Sequence, residues 1–106
     1  SLGVNDIIVD PGFGFSKTLE QNYELMAHLK YFHIFDIPLL VGVSRKSMLY
    51  RPLELTAEES LNATTVLNTY ALESGAKILR VHDVKEAVEC VKLTCKLNKY
   101  TSQHLI

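Results

Sequence analysis

Three stretches of this chain set side chains that bind and react directly after apolar runs. They read Val9-Asp10-Pro11-Gly12-Phe13-Gly14-Phe15-Ser16-Lys17, Gly42-Val43-Ser44-Arg45-Lys46-Ser47 and Arg80-Val81-His82-Asp83. A carboxylate at Asp10, biased to an extended conformation by the next proline, can accept two parallel hydrogen bonds from an amidine-like N–H pair. An Asp in such a turn can equally satisfy loop N–H groups. The two cations and two hydroxyls from Ser44 to Ser47 suit a polar heterocycle or an anion, with Lys46 as a point charge; a solvated loop is the plainer alternative. Arg80 and His82 alternate around Val81 and so share one side of a strand. An Arg on the covered side of a sheet needs an anion, which a ligand or a carboxylate such as Asp10 could supply.

Gly12 and Gly14 permit positive φ and close backbone approach. Phe13 and Phe15 either pack beneath the loop as core, or one of them walls a ligand. The stretch lacks the third glycine of a dinucleotide fingerprint and the Gly-Lys-Ser/Thr ending of a phosphate-binding loop, so neither nucleotide reading is supported. Asp83 is placed to cap a helix. His28, His33 and His104 have no matching partners and read as surface or helix-face residues, whereas Tyr23, Tyr31, Phe32 and Phe35 read as packing. Cys90 and Cys95 point apart on one helical segment and lack metal-ligand spacing, which predicts two reduced thiols.

These loops need a scaffold, and the chain supplies one unit three times: strand, polar loop, amphipathic helix. The predicted strands are 6–10, 38–43 and 76–81, nearly continuous in apolar character, as parallel strands covered on both faces are. Thr18 with Gln21 and Thr56 with Glu59 form capping-box pairs ahead of two helices, and Asp83 with Glu86 resembles a third. Asp36-Ile37-Pro38 ends the first helix and Gly75 the second. Residues 100–106 lack periodicity and are expected to form a tail. The order is (βα)3, which fits a small open α/β domain or a piece of a barrel. In either, the polar loops share the C-terminal edge of the strands, where parallel α/β proteins bind ligands.

Composition narrows the partners. With 106 residues, 47% hydrophobic and 22% charged, the chain suits one modest globular domain, and a net charge of −1 gives no field for nucleic acid or an acidic membrane. The apolar runs are too short to span a bilayer, and Ser1-Leu2-Gly3-Val4 has no signal-peptide character. A cytoplasmic location is expected. The absence of an initiator Met fits a fragment boundary or processing.

Taken in order and at their spacing, Ile8 to Phe15, Leu40 to Ser47 and Arg80 to Glu86 resemble the dihydropteroate synthases, over the stretch from Asp6 to Val91. The resemblance implies a (β/α)8 TIM barrel with parallel strands, of which residues 1–99 are the C-terminal part, strands six to eight. That family joins 4-aminobenzoate to 6-hydroxymethyl-7,8-dihydropterin diphosphate, releasing diphosphate, and sulfonamides mimic the aminobenzoate. By resemblance, Asp10 holds the pterin ring and Lys46 contacts both the pterin and aminobenzoate regions. Phe15 helps wall the aminobenzoate site, with Ser44 and Ser47 near it, and Gly42 leaves room for the pterin beside the backbone. Arg80 stacks over the pterin and, with His82, engages the diphosphate, which makes Lys46, Arg80 and His82 the implied catalytic groups. Mg2+ accompanies the diphosphate in the intact enzyme, and no metal ligand is identified in this chain.

Two departures qualify this. Ser16 stands where many members have glycine, so the loop's outline is expected to differ slightly. The family's first strands and two closing loops have no counterpart here, so the chain alone is expected to be inactive. A homodimer through the last helices, or self-association through an exposed barrel edge, is expected. Two other readings remain at this point. A pterin-binding segment of a folate-dependent methyltransferase would lack the Arg-x-His pair, and a small α/β binding or assembly protein would use the two apolar strand edges and the interior that an incomplete barrel exposes.

Overall fold

The computed structural model describes residues 8–14, 17–35 and 37–103. Its elements in chain order are helix α1 (Leu19–Ala27), a 3-10 stretch (Leu29–Phe35), strand β1 (Leu40–Val41), helix α2 (Ser47–Tyr50) and a 3-10 turn (Ala57–Glu59). Helix α3 (Leu61–Glu73), strand β2 (Ile78–Leu79) and helix α4 (Val84–Gln103) follow. The strands are parallel, with Leu40 opposite Ile78 and Val41 opposite Leu79. Val9 adds a parallel bridge to Leu39 on the other side. There the Val9 N–H donates to Pro38 O at 2.9 Å and the Leu40 N–H to Val9 O at 2.8 Å. The three apolar runs therefore lie side by side in chain order, as right-handed βα units place them.

The strands are shorter than predicted. Lys46 N–H turns back to Val43 O at 3.0 Å, which ends β1 before the Ser44 loop. The last backbone link of β2 is Arg80 N–H to Val41 O at 2.9 Å. Of the first predicted strand only Val9 pairs, and Asp6 and Ile7 lie outside the described residues.

Helix boundaries follow the side chains. Thr18 and Gln21 form the predicted capping box at α1. Thr18→Ala is expected to cost about 1 kcal/mol, a fall of several degrees in Tm in a thermal melt. The box at Thr56 and Glu59 also forms, but on a 3-10 turn, and the regular helix starts only after Ser60. Gly75, at φ +111°, ends α3: its N–H donates to Leu72 O, and Ala76 N–H to Ala71 O. That double link is the Schellman arrangement, and it requires the left-handed conformation glycine adopts without a Cβ penalty. At the other end of the chain α4 continues through Gln103, so the stretch from Tyr100 expected as a tail is helical over its first four residues.

Phe13, Met26, Leu29, Leu39, Val41, Val43, Met48 and Leu49 form the core beneath the site, joined by alanines of α3 and by Ala76. Leu29, Val41 and Val43 lose all contact with solvent. Apolar side chains elsewhere stay exposed, among them Val84, Val88, Leu93 and Leu97 of α4. The radius of gyration is 14.7 Å, above the about 13 Å of a closed domain of about 100 residues. The chain builds one good wall and leaves others open.

Candidate functional site

Three loops leave the C-terminal edge of the parallel strands, and polar contacts tie them into one unit. In the first, Asp10 accepts from the Gly12 N–H at 2.9 Å through Oδ1, while Oδ2 faces Arg80 Nη1 at 3.4 Å. Gly12 has φ +78°, a conformation that favours glycine. Two ammonium groups rest on consecutive carbonyls here: Lys17 Nζ donates to Gly12 O at 2.6 Å, and Lys46 Nζ donates to Phe13 O. Phe13 is buried and belongs to the core. Phe15, implied as an aminobenzoate wall, lies outside the described residues, as does Ser16.

The second loop is strained at one residue. Arg45 has φ +58°, costly for a side chain with a Cβ, and such residues persist where their surroundings hold them. Its guanidinium reaches Asp83 Oδ1 of the third loop at 3.2 Å. One residue earlier, the buried Ser44 hydroxyl accepts from the His82 N–H at 3.3 Å. The second and third loops are thus zipped by two successive pairs, 44 to 82 and 45 to 83. Lys46 precedes α2 as its N-cap residue, and Ser47 opens that helix.

Gly42 and Arg80 explain each other. A Cβ on Gly42 would lie 2.7 Å from Arg80 Nη2 and 2.9 Å from Cζ, so a hydrogen there lets the guanidinium lie against the strand. The room beside Gly42 that the resemblance gives to a pterin is taken by Arg80 in this structure. Arg80 is also no buried cation: its side chain is 58% exposed, and Asp10 is 40% exposed. An ion pair this open contributes at most about 1 kcal/mol. The sequence placed Arg80 on a covered face, and nothing among the described residues covers it.

Gly12, Phe13, Gly14, Asn22, Arg45, Lys46, Ser47, Met48 and Tyr50 line a cleft of about 730 Å³, within the range of small-molecule sites. Asp10, Gly42, Arg80 and His82 lie outside those walls, with Arg80 and Asp10 close enough for their charges to act on Lys46. The candidate residues therefore form a cleft group around Lys46 and Ser47 and a group around Arg80, joined at Lys46.

Sequence reasoning passed over Asn22. It is buried on α1, and its amide engages both the N–H and the carbonyl of Gly14. The signal was a polar residue on the stripe made with Met26 and Leu29, four and seven positions on. Tyr23, read as packing, is exposed and donates its hydroxyl to Met48 O, tying α1 to α2; burial of that hydroxyl raises its pKa. Asp83 sits directly before α4, and its carboxylate takes Arg45.

Burial holds the Lys46 ammonium below the ordinary lysine value; the Arg80 charge adds to this, Asp10 opposes it, and Lys17 adds a smaller push. The folded chain then binds this proton less tightly than the unfolded chain. Stability should rise with pH from the lowered value up to the ordinary lysine value, about 10.4, and the penalty persists in full below that window. Arg80→Ala removes a cation and frees Asp10, so an NMR titration of Lys46 should show its midpoint move up. No movement, or a fall, would contradict the proximity of these groups.

Among the described residues no three His, Cys, Asp or Glu side chains cluster as a metal site. Asp10 is already engaged by Gly12 and Arg80, and Asp83 by Arg45. No helix among the described residues is long and apolar enough to cross a membrane.

Residues 1–82 match the family described as pterin binding enzyme. The chain is 47% identical over 98 residues to the dihydropteroate synthase of Escherichia coli K12, covering 88% of this chain and 35% of that protein. It superposes on the crystal structure of Yersinia pestis dihydropteroate synthase with a TM-score of 0.87 at 43% identity, over 91% of this chain and 45% of that one. The same Yersinia pestis enzyme in a sulfonamide drug complex matches equally well, with a TM-score of 0.87, 43% identity and 91% and 35% of the two chains covered. The chain thus spans about a third of the length of the E. coli relative it matches. Its strands and helices form an α/β segment with parallel strands that matches part of that enzyme's barrel.

Proposed function

The chain belongs to the pterin binding enzyme family, and from that premise we propose that it forms one wall of a dihydropteroate synthase active site. The observation that carries this reading is the meeting of Asp10, Lys46 and Arg80 at the C-terminal edge of three parallel runs. The reaction is a displacement. The amine nitrogen of 4-aminobenzoate bonds to the pterin methylene carbon, the carbon–oxygen bond to diphosphate breaks, and the nitrogen gives up a proton. Such a step needs orientation of two planar reactants and neutralisation of the departing anion.

This chain's groups suit both needs. Asp10 accepts from the pterin N–H pair once Arg80 moves off it, and Arg80 with His82 then faces the diphosphate. Lys46 stands between the pterin and the aminobenzoate, and Ser44 and Ser47 flank the latter, where a sulfonamide would compete. Phe15 and Gly42 complete this wall of the site. The seam of strand positions and the sixth-to-eighth place in a barrel follow from the same reading. So does a copy-to-copy contact through the apolar trough of Leu79, Val81, Val84, Ala87, Val88 and Val91. Light scattering should then show a dimer, and a clean monomer at high concentration would argue against that contact.

Domain replacement tests the activity. This chain is substituted for the matching segment of the E. coli enzyme, and dihydropteroate formation is assayed beside the chain alone. The chimera is expected to turn over, with competition between a sulfonamide and 4-aminobenzoate, and the chain alone is expected to give background. A folded chimera without turnover refutes the assignment, whereas turnover by the chain alone refutes the single-wall reading.

A further inference from the structure

We propose that Asn22 is a positioning residue for Lys46, acting through the Phe13–Gly14 peptide group. The Gly14 N–H donates to Asn22 Oδ1 at 3.3 Å, and Asn22 Nδ2 donates to Gly14 O at 3.1 Å. The Gly14 N–H and the Phe13 carbonyl belong to one planar trans peptide, so they point in opposite directions. Whatever holds the N–H aims the carbonyl, and that carbonyl is the acceptor of Lys46 Nζ. Asn22 and Lys46 therefore grip opposite edges of one peptide plane.

Two further observations give the grip its purpose. A Cβ on Gly14 would meet nothing within 4 Å, so beside the buried Phe13 ring and the Lys17 N–H on Gly14 O at 3.3 Å, the Asn22 amide is what fixes the plane at Gly14 N. And Asn22, only 4% exposed, spends its amide on the loop instead of leaving it unpaired in the core, which would be costly. Asn22, Gly14 and Lys46 all line the same cleft.

The functional consequence rests on the proposed role of Lys46, but the geometry can be tested without any ligand. Limited acetylation of the folded chain at fixed pH is read lysine by lysine by mass spectrometry. In Asn22→Ala, Lys46 is expected to react about fivefold faster, the change for one lost hydrogen bond. Lys77 and Lys92, exposed and outside the site, should keep their rates. Asn22→Gln keeps both an amide acceptor and an amide donor for Gly14 without adding charge, and should return Lys46 part of the way to its original rate.

Equal Lys46 rates in the original chain and Asn22→Ala, with steady controls, overturn the proposal. So does an Asn22→Gln effect as large as that of Asn22→Ala. If Asn22→Ala unfolds, all three lysines accelerate together, and Gly14 amide exchange in the original chain decides. Slow exchange supports the grip, and exchange at open-loop rates overturns it. An inactive chimera would defeat the synthase reading and leave this result standing, so the two failures are distinguishable.

Discussion

Lys46→Met, placed in the active chimera, is expected to lower kcat/KM by about 100- to 1000-fold, equivalent to about 2.7–4 kcal/mol of transition-state stabilisation. The size follows from position. Lys46 is the group that joins the cleft to the Arg80 cluster, and burial leaves it less water-screened than an open surface lysine. Met preserves the length and apolar stem, so the change isolates the charge. Lys46→Arg should restore little, because a planar guanidinium cannot sit on Phe13 O as a compact ammonium does. Steady-state kinetics with both substrates varied checks this, and a loss below tenfold would remove Lys46 from the chemistry.

The second large effect is on folding. Leu49→Ala should destabilise the chain by about 2–5 kcal/mol, against a total stability of about 5–15 kcal/mol for a domain of ordinary size. Leu49 is 1% exposed on α2, next to Met48 at the same burial and three residues beyond Lys46. Its cavity would open directly under the site, because α2 carries the cleft residue Ser47 and the core residues Met48 and Leu49 on one turn. Urea titration should show a lower midpoint with an unchanged slope. The chain has little reserve, since so much of α4 leaves its apolar side chains in water. A loss under 1 kcal/mol would mean that the core beneath the loops repacks freely.

Local rules were the legible part of the fold. Thr18, Gln21 and Gly75 act within four residues of themselves, so their capping roles could be read directly. Strand length could not, because it depends on where a loop peels away, as it does at Val43 and Lys46. The tail was misjudged at Tyr100 because an exposed helix needs no apolar stripe to persist through Gln103. In the site, Asp10, Lys46 and Arg80 stood out as charged residues after apolar runs, and the structure brings them together. The expectation of a covered Arg80 failed because burial is a property of both walls, and the second is not among the described residues. Arg45 at positive φ had no sequence signal at all, since a strained arginine reads like any other.

Lys46 and Lys17 already hold neighbouring carbonyl oxygens. For such a site, ligand capture at these cations is an exchange and not an addition. An incoming group must supply a better acceptor than the neutral peptide oxygen it displaces. An ionised oxygen does so, since charge-assisted hydrogen bonds are about twice as strong as neutral ones; an amide or alcohol of the same shape offers no such surplus. If these lysines take the ligand as proposed, the resting loop would act as an internal competitor that sets a threshold, discriminating by ionisation state before shape is consulted.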